Sequence, residues 1–584
     1  MSHAVPTFDL RSVPFSRRGS WLDLSPVIAA HRTVDDVHVV SHRTGMHAVL
    51  ALTPSRTAAS GRISSEWTTD ADAARLRWSD GHAGVDAVFA EVDVVRIRGS
   101  AGTRLEIAEV AGELTPFTGM YLFRDPRDGS AVFTAYETGA RYRVTALAGA
   151  LRLEGAEALG AARRSVIVEA SEGLGEWEIA LEELEASRSP YRRTEDFVEA
   201  VAKVRTEFVD FAAGVAPWTE DDEFSPEDRD TAMLAAYVIW SATVAPAGFL
   251  ERESVLMSKH WMDKVWSWDH CFNAIALVRG DPRLALDQFL APFDHQDAVG
   301  ALPDSIAHSE RLYNFVKPPI HGWALDRLRR DGLELSRDER EVVYDKLSRW
   351  THFWLDERRV PGRALPYYQH GNDSGWDNST AFDRARLIES PDLAAFLLLQ
   401  LDTLSRLADE LGLDGSSWRT EGERIAAALD TELWRGDGYS ARGVADGADA
   451  SRSTLLTSLA IAAGPLLPEE ARDALAEGLT PFLTPWGLAT ERPDSGHYES
   501  DGYWRGPIWA PSTMLIEDGL RRSGHVGMAD DISERFRGLC RQHGFAENFD
   551  ALTGDGLRDR AYTWTAAVYL TLAGDAARRA REPA

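Results

Sequence analysis

The pattern of apolar and polar positions divides the chain into two regimes. Over the first 190 residues, short apolar runs recur at 37–40, 48–52, 75–78, 94–98, 131–135 and 166–169. Turn-forming clusters such as Ser79-Asp80-Gly81, Pro126-Arg127-Asp128-Gly129 and Ser171-Glu172-Gly173 separate them. Brief stretches rich in β-branched residues between such turns predict strands. Many of them in succession predict an antiparallel β-sandwich, without fixing the strand order.

Past Ser189-Pro190 the period becomes helical. Phe197, Val201, Val204, Phe208 and Phe211 fall on one face of an amphipathic connector over 194–213. Beyond Pro217-Trp218, helices are predicted at 228–240, 282–293, 338–354, 391–411, 418–433, 451–463, 507–522, 528–543 and 563–579. Many open on proline, aspartate or serine and end near a glycine, as helix starts and stops require. A length of 584 residues exceeds what one hydrophobic core fills. The expected organisation is therefore multidomain: a β-sandwich over 1–190, a linker helix over 191–220 and an all-α domain over 221–584. Long polar and aromatic loops between these helices, gathered on one face, predict an α/α barrel with its chemistry in the loops.

Composition narrows the function. The net charge of −29 disfavours nucleic acid and anionic membrane as partners. The two cysteines, Cys271 and Cys540, form no disulfide framework, and no spacing resembles a metal site, so no metal or other cofactor is expected. Residues 1–32 lack a basic start followed by an apolar run, and no stretch has the length of a membrane helix. A cytoplasmic enzyme is the expectation.

Tryptophan is the outlier: fifteen of 19 lie from Trp218 onward. Trp240, Trp350 and Trp354 sit in helical patterns and read as core. Trp266, Trp268, Trp376, Trp504 and Trp509 sit among Gly, Pro and Asp and read as an aromatic-rich concave site. In Gly371-Asn372-Asp373-Ser374-Gly375-Trp376-Asp377-Asn378-Ser379 this mixture is densest. A sugar site needs an aromatic plate for a pyranose face and amides and carboxylates for its hydroxyls. Acetal hydrolysis adds a carboxylic acid to protonate the leaving oxygen and a second carboxylate to activate water or attack the sugar. Asp377 is the better acid, because Trp376 beside it lowers local polarity, and Asp373 is its competitor. Glu547, between Phe545 and Phe549, is the candidate partner. Asp269 follows Trp266-Ser267-Trp268 and is also placed to cap the helix after it. Arg505 offers a fixed cation to keep the base carboxylate ionised. Trp268, Asp269, Trp323, Asp373, Trp376, Asn378, Trp504, Arg505 and Trp509 are the candidate substrate-binding residues.

Four segments occur together in order: Trp268-Asp269; Asp373-Ser374-Gly375-Trp376-Asp377-Asn378-Ser379; Tyr503-Trp504-Arg505-Gly506-Pro507-Ile508-Trp509; and Glu547-Asn548-Phe549-Asp550 with Thr553-Gly554. Together they resemble the inverting α-glycosidases of glycoside hydrolase family 63 and their trehalase relatives. The resemblance implies an (α/α)6 barrel over roughly 250–570, with Asp377 as general acid and Glu547 as general base. It implies exo-acting hydrolysis of a terminal α-linked glucose or mannose from a short saccharide or glycoside. A debranching-type or glucoamylase-like hydrolase of longer α-glucans is the alternative. Trehalase-like members carry glutamate where this chain has Asp373. The compact mannosylglycerate and glucosylglycerate hydrolases lack a β-rich first third, which is expected to brace the pocket rim, with Trp21 as its residue nearest the site.

Overall fold

In the computed structural model, residues 5–581 are described except 58–66, 111–118, 137, 158–162, 172–174, 185, 187 and 221–224. The turn expected at Ser171-Glu172-Gly173 lies largely outside the described residues. The described part of the first 184 residues folds into fifteen strands in two sheets. In the nine-stranded sheet, the strands beginning at Thr7, Thr68, Leu76, Gly84, Val94, Trp177, Arg141, Ala131 and Met120 lie side by side. In the six-stranded sheet the order is Ala150, Ser165, Thr103, His47, Arg32 and Leu22. Every neighbouring pair in both sheets is antiparallel.

Both sheets face one apolar core, to which Trp78, Ile97, Tyr142 and Trp177 come from one and Leu24, Val39, Leu50, Ile107 and Val166 from the other. Strict alternation fails on strand Trp177–Leu184, which is buried along its whole length. Its second face carries Glu178 and Glu182, tied to the guanidiniums of Arg96 and Arg143. Buried but paired, these acids mimic solvent-facing positions in the sequence.

Among the described residues twelve α-helices follow: α1 (Phe197–Val215), α2 (Pro226–Ala242), α3 (Asp269–Leu277), α4 (Pro282–Leu290), α5 (His321–Arg330) and α6 (Arg337–His352) come first. Then come α7 (Pro391–Leu411), α8 (Ser416–Ala428), α9 (Glu469–Gly478), α10 (Ala510–Arg522), α11 (Val526–His543) and α12 (Thr563–Arg581). A 3₁₀ segment, Leu455–Leu466, lies between α8 and α9. α3 packs on α5, α5 on α7, α7 on the 3₁₀ segment, that segment on α10, α10 on α12, and α12 back on α3, closing a ring. α2, α4, α6, α8, α9 and α11 pack outside it, on α12, α3, α7, α7, the 3₁₀ segment and α10. Inner and outer helices alternate along the chain.

α1 is the connector, opened by a capping box in which Asp196 and Glu199 each satisfy the other's backbone amide. The expected 391–411 helix is α7 to the residue. α5 and α9 are not among the expected helices, and α3 is foreseen only as the helix that Asp269 would cap. In α5, Gly322 sits where a Cβ would come within 2.3 Å of the Gln400 Cα, so close helix packing demands the residue that disguises the helix in sequence.

The sheets and helices meet in a stiff joint. Gly19 pairs with Val244 in a parallel bridge, Tyr237 stacks on Phe8, and Arg18 bonds Glu253 and Asp281. Trp21 is part of this joint rather than of the site: it is buried, donates its indole N–H to the Ala245 carbonyl and packs edge-on against His308. Among the described residues no helix is long and apolar enough to cross a membrane.

Candidate active site

Five loops carry the chemistry, and each runs into an inner element of the ring: 256–268 into α3, 304–320 into α5, 368–390 into α7, 496–509 into α10 and 545–562 into α12. Three carboxylates from these loops, Asp269, Asp377 and Glu547, share one environment, since all three charges act on the buried Tyr503 phenol. Tyr562 feels Glu547 and Asp269 as well.

These three carboxylates differ from the other buried acids of the region. Asp373 accepts from the amides of Val316 and Gln369 and from Arg358. Glu491 accepts from Thr380 and Ser495, and Asp518 from Trp323 and Arg522. Among the described residues no side chain donates a hydrogen bond to Asp269, Asp377 or Glu547, and Asp269 Oδ2 is buried without a partner. Buried carboxylates are normally satisfied, so the unpartnered Asp269 Oδ2 stands out among them.

The electrostatics follow from that lack of partners. Burial pushes Asp269 up to about 8 against the pull of Lys317. Burial likewise raises Glu547 to about 8, aided by the negative charge of Asp559 and opposed by Arg558. Asp377 is also raised by burial, with Asp304 adding to the rise and Lys317 opposing it. The Asp377 side chain nonetheless keeps 31% of its surface open, whereas Glu547 is 2% exposed. Asp377 is thus the more accessible of the two. The Lys317 ammonium lies 3.0 Å from Asp304 and 4.0 Å from Asp377 and donates to the Asn372 carbonyl. Burial opposes its charge, but the three surrounding carboxylates raise it above its ordinary value.

Several expected binding residues serve the scaffold instead. Asn378 donates to the Gly502 carbonyl and accepts from the Trp504 amide, so both ends of its amide clamp two loops together. Arg505 bonds the Asn378 carbonyl and Asp383; the cation that acts on Glu547 is Arg558. All of the expected Asp373 oxygens are occupied, as above. Trp323 lies within α5 with its N–H on Asp518 and its ring against Phe272, which in turn contacts Trp268, one layer behind the loops. Asp269 is the first residue of α3 and makes no capping bond.

The tryptophans also depart from the expectation of open plates. Trp504 stacks on Trp509 with centroids 4.1 Å apart and lies 4.6 Å from Trp376, and all three are buried. Trp268 packs against Trp504 and Trp564. Gly375, in the left-handed region at φ 73°, brings the chain so close to Trp268 that a Cβ would lie 2.5 Å from its ring. The result is a rigid aromatic wall whose members stack on one another.

Lys317, Asp304, Arg558 and Tyr562 join the site without having been singled out from the sequence, and Tyr503, which opens one of the four segments, joins them. Tyr503 and Arg558 have φ of 63° and 59°, a conformation non-glycine residues rarely hold, and strain of this kind gathers at functional sites. Among the described residues no three His, Cys, Asp or Glu side chains converge to hold a metal ion.

The model of the mannosylglycerate hydrolase MGH1-like glycoside hydrolase domain matches residues 262–565. The mannosylglycerate hydrolase of Rubrobacter radiotolerans is 27% identical over 402 residues, 52% of this chain and 89% of that protein. The glucosylglycerate hydrolase of Mycolicibacterium hassiacum is 24% identical over 458 residues, 61% of this chain and 99% of that protein. A bacterial glucoamylase solved with acarbose superposes with a TM-score of 0.61 at 12% identity, covering 98% of this chain and 95% of that one. The last likeness concerns the fold alone and extends it over the sheets as well as the helices.

Proposed function

The chain belongs to the mannosylglycerate hydrolase MGH1-like glycoside hydrolases and is itself a glycoside hydrolase, and we propose that it releases a terminal α-linked glucose or mannose with inversion. The substrate is a short saccharide or glycoside; the names of the relatives make glycosyl-glycerates the first to try. The observation that carries the reading is the trio of carboxylates around Tyr503 that receive no side-chain hydrogen bond among the described residues, with Asp269 and Glu547 buried and Asp377 partly open. A pyranose seated there offers its hydroxyls to Asp269, its leaving oxygen to Asp377 and its anomeric carbon to a water on Glu547. Asp377 donates a proton as the glycosidic bond breaks, and Glu547 accepts one from the attacking water. Atoms balance as one water consumed and two hydroxyls formed. The closed ring of six inner and six outer elements supports an (α/α)6 barrel over 221–584. The two antiparallel sheets on one core support a β-sandwich domain over 1–190, with 191–220 as the linker.

Burial raises both Asp377 and Glu547. Hydrolysis in this direction needs the proton on Asp377 and Glu547 bare. The attacking water and sugar hydroxyls donate to Glu547, and Arg558 favours its anion. The reverse assignment has Glu547 as acid and Asp377 as base. An α-glycosyl fluoride separates the two, because fluoride leaves without protonation. On that substrate the acid variant regains turnover and the base variant does not. Proton NMR of the first-formed sugar reads the stereochemistry: a β-anomer from an α-glycoside is expected, and an α-anomer refutes inversion. Turnover against chain length tests the glucoamylase-like alternative, which predicts a rise from disaccharide to longer α-glucan.

A further inference from the structure

The segment Ser258-Lys259-His260-Trp261-Met262-Asp263 is a tight turn, closed by bonds from the Ser258 amide to the Met262 carbonyl and from the Met257 amide to the Lys264 carbonyl. Its side chains divide by parity. The odd-numbered ones reach the β region. Lys259 donates to Ser16 Oγ at 2.9 Å and to the Ser20 carbonyl; Trp261 packs against His31, with ring centroids 4.8 Å apart; Asp263 bonds His42 Nδ1 at 3.1 Å. The even-numbered ones Ser258 and His260 turn the other way and both bond the Asp559 carboxylate, His260 Nδ1 at 3.1 Å. The Asp559 carbonyl in turn accepts the Glu547 amide at 2.8 Å. Every β-side partner in this series lies outside the family segment 262–565.

We propose that the β region fixes the catalytic base through this turn, with His260 as a positioning residue that holds Asp559 and, through it, Glu547. The proposal rests on the reading of Glu547 as base. The links through Lys259, Asp263 and His260 are short and buried: His42, Asp23 and Asp559 are shut off from solvent, and Lys259 and His260 nearly so. The turn therefore has no slack to absorb a change at either end. Two consequences reach Glu547: its backbone is tethered to Asp559, and the Asp559 charge makes it a stronger base. Burial opposes that charge, but His260, Ser258 and the Ala561 amide hold the Asp559 carboxyl below its ordinary value. The groups acting on Glu547 are Asp559, Arg558 and Asp377, with the phenols of Tyr503 and Tyr562 beside it; Arg560 also faces Asp559. On the far side of the turn, His42 lies between Asp23 and Asp263, and Lys259 faces Asp23 and Asp93.

The test is the pH dependence of kcat/KM on the full chain, with a glycoside the wild type hydrolyses. Removing the His260 imidazole lets Asp559 take up a proton, weakens its field on Glu547 and moves the acid limb toward lower pH. His260→Ala is expected to shift that limb down by about one pH unit and to cut kcat about tenfold, with KM within about twofold. His260→Asn, whose amide can still donate to Asp559, regains most of both. Asp263→Asn, which loosens only the β-side grip, moves the limb in the same direction by less. Ser258→Ala, which removes the other donor to Asp559, does the same and serves if His260→Ala does not fold. If these variants lower Tm but leave limb and kcat unchanged, the turn only stabilises and the proposal fails. Loss of the base assignment has a different signature: Glu547→Gln would then keep wild-type kcat.

Discussion

His42 joins the two halves of the molecule, and its ionisation gives a stability prediction with a defined pH window. The imidazole is fully buried between Asp23, 2.8 Å from Nε2, and Asp263, 3.1 Å from Nδ1. Burial alone would neutralise it, but the two carboxylates prevail and raise it from 6.5 to about 9. A group whose folded pKa exceeds its unfolded value stabilises fully below the unfolded pKa and loses that stabilisation as pH rises through the folded one. The window is therefore from 6.5 to about 9. At about 1.4 kcal/mol per pH unit, a rise of this size is worth about 3 kcal/mol. In His42→Gln the two acids remain buried without a cation, so the variant is less stable throughout. The stability gap between wild type and variant should narrow by about 3 kcal/mol between pH 6 and 9.5. Lys259 nearby, pushed by burial down to about 8, contributes with the opposite sign in both proteins and cancels in the difference. Urea denaturation at a series of pH values reads the gap. Parallel curves across that window would refute the cationic pair.

Asp377→Asn should lower kcat on an ordinary α-glycoside about 10²–10⁴-fold with an unchanged Tm, and recover most of the loss on the matching α-glycosyl fluoride. Asp269→Asn, by removing a carboxyl partner for sugar hydroxyls, should lower kcat/KM about 10–100-fold, read by steady-state kinetics. Trp504→Ala, which opens the stack with Trp509 and Trp376, should cost about 3–5 kcal/mol in denaturation and loosen substrate binding with it. Arg327→Met leaves Asp575, Asp331 and Asp518 buried without their shared cation and should cost about 3–5 kcal/mol by the same measurement.

The helical period was legible where an apolar stripe faces one neighbour, and α7 was read to the residue. It was obscured where helices pack on several sides or approach closely, as at Gly322 in α5. The strands of the first region were undercounted for a related reason. Glu178, Glu182, Arg96 and Arg143 look like exposed positions and are paired inside. Polarity in a sequence does not distinguish water from a partner far along the chain. The same blindness hid Lys317: nothing near it in sequence marks it, and its importance comes from Asp304, Asp377 and Asp269, which only the fold brings round it.

In the loop 371–379 most of the polar side chains serve the backbone around them. Its polar side chains suggested many ligand contacts. Asp373 holds the 304–320 loop through Val316 and the chain leading to itself through Gln369 and Arg358, and Asn378 clamps the 502–504 backbone. Gly375 admits Trp268, whose ring continues the stack of Trp376, Trp504 and Trp509. A carboxylate can donate or withdraw a proton on cue only if its position is fixed while its oxygens stay free. The neighbours of Asp377 therefore give up their own hydrogen-bonding capacity to hold the loop still, and Asp377 alone keeps its own. Tyr503 and Arg558 extend the argument to the backbone. Each left-handed φ costs about 1–3 kcal/mol, a strain that only the surrounding stack and clamps can hold in place. Dense polarity in an aromatic loop thus indicates how firmly a site is built, and the single acid left unbonded indicates where it acts.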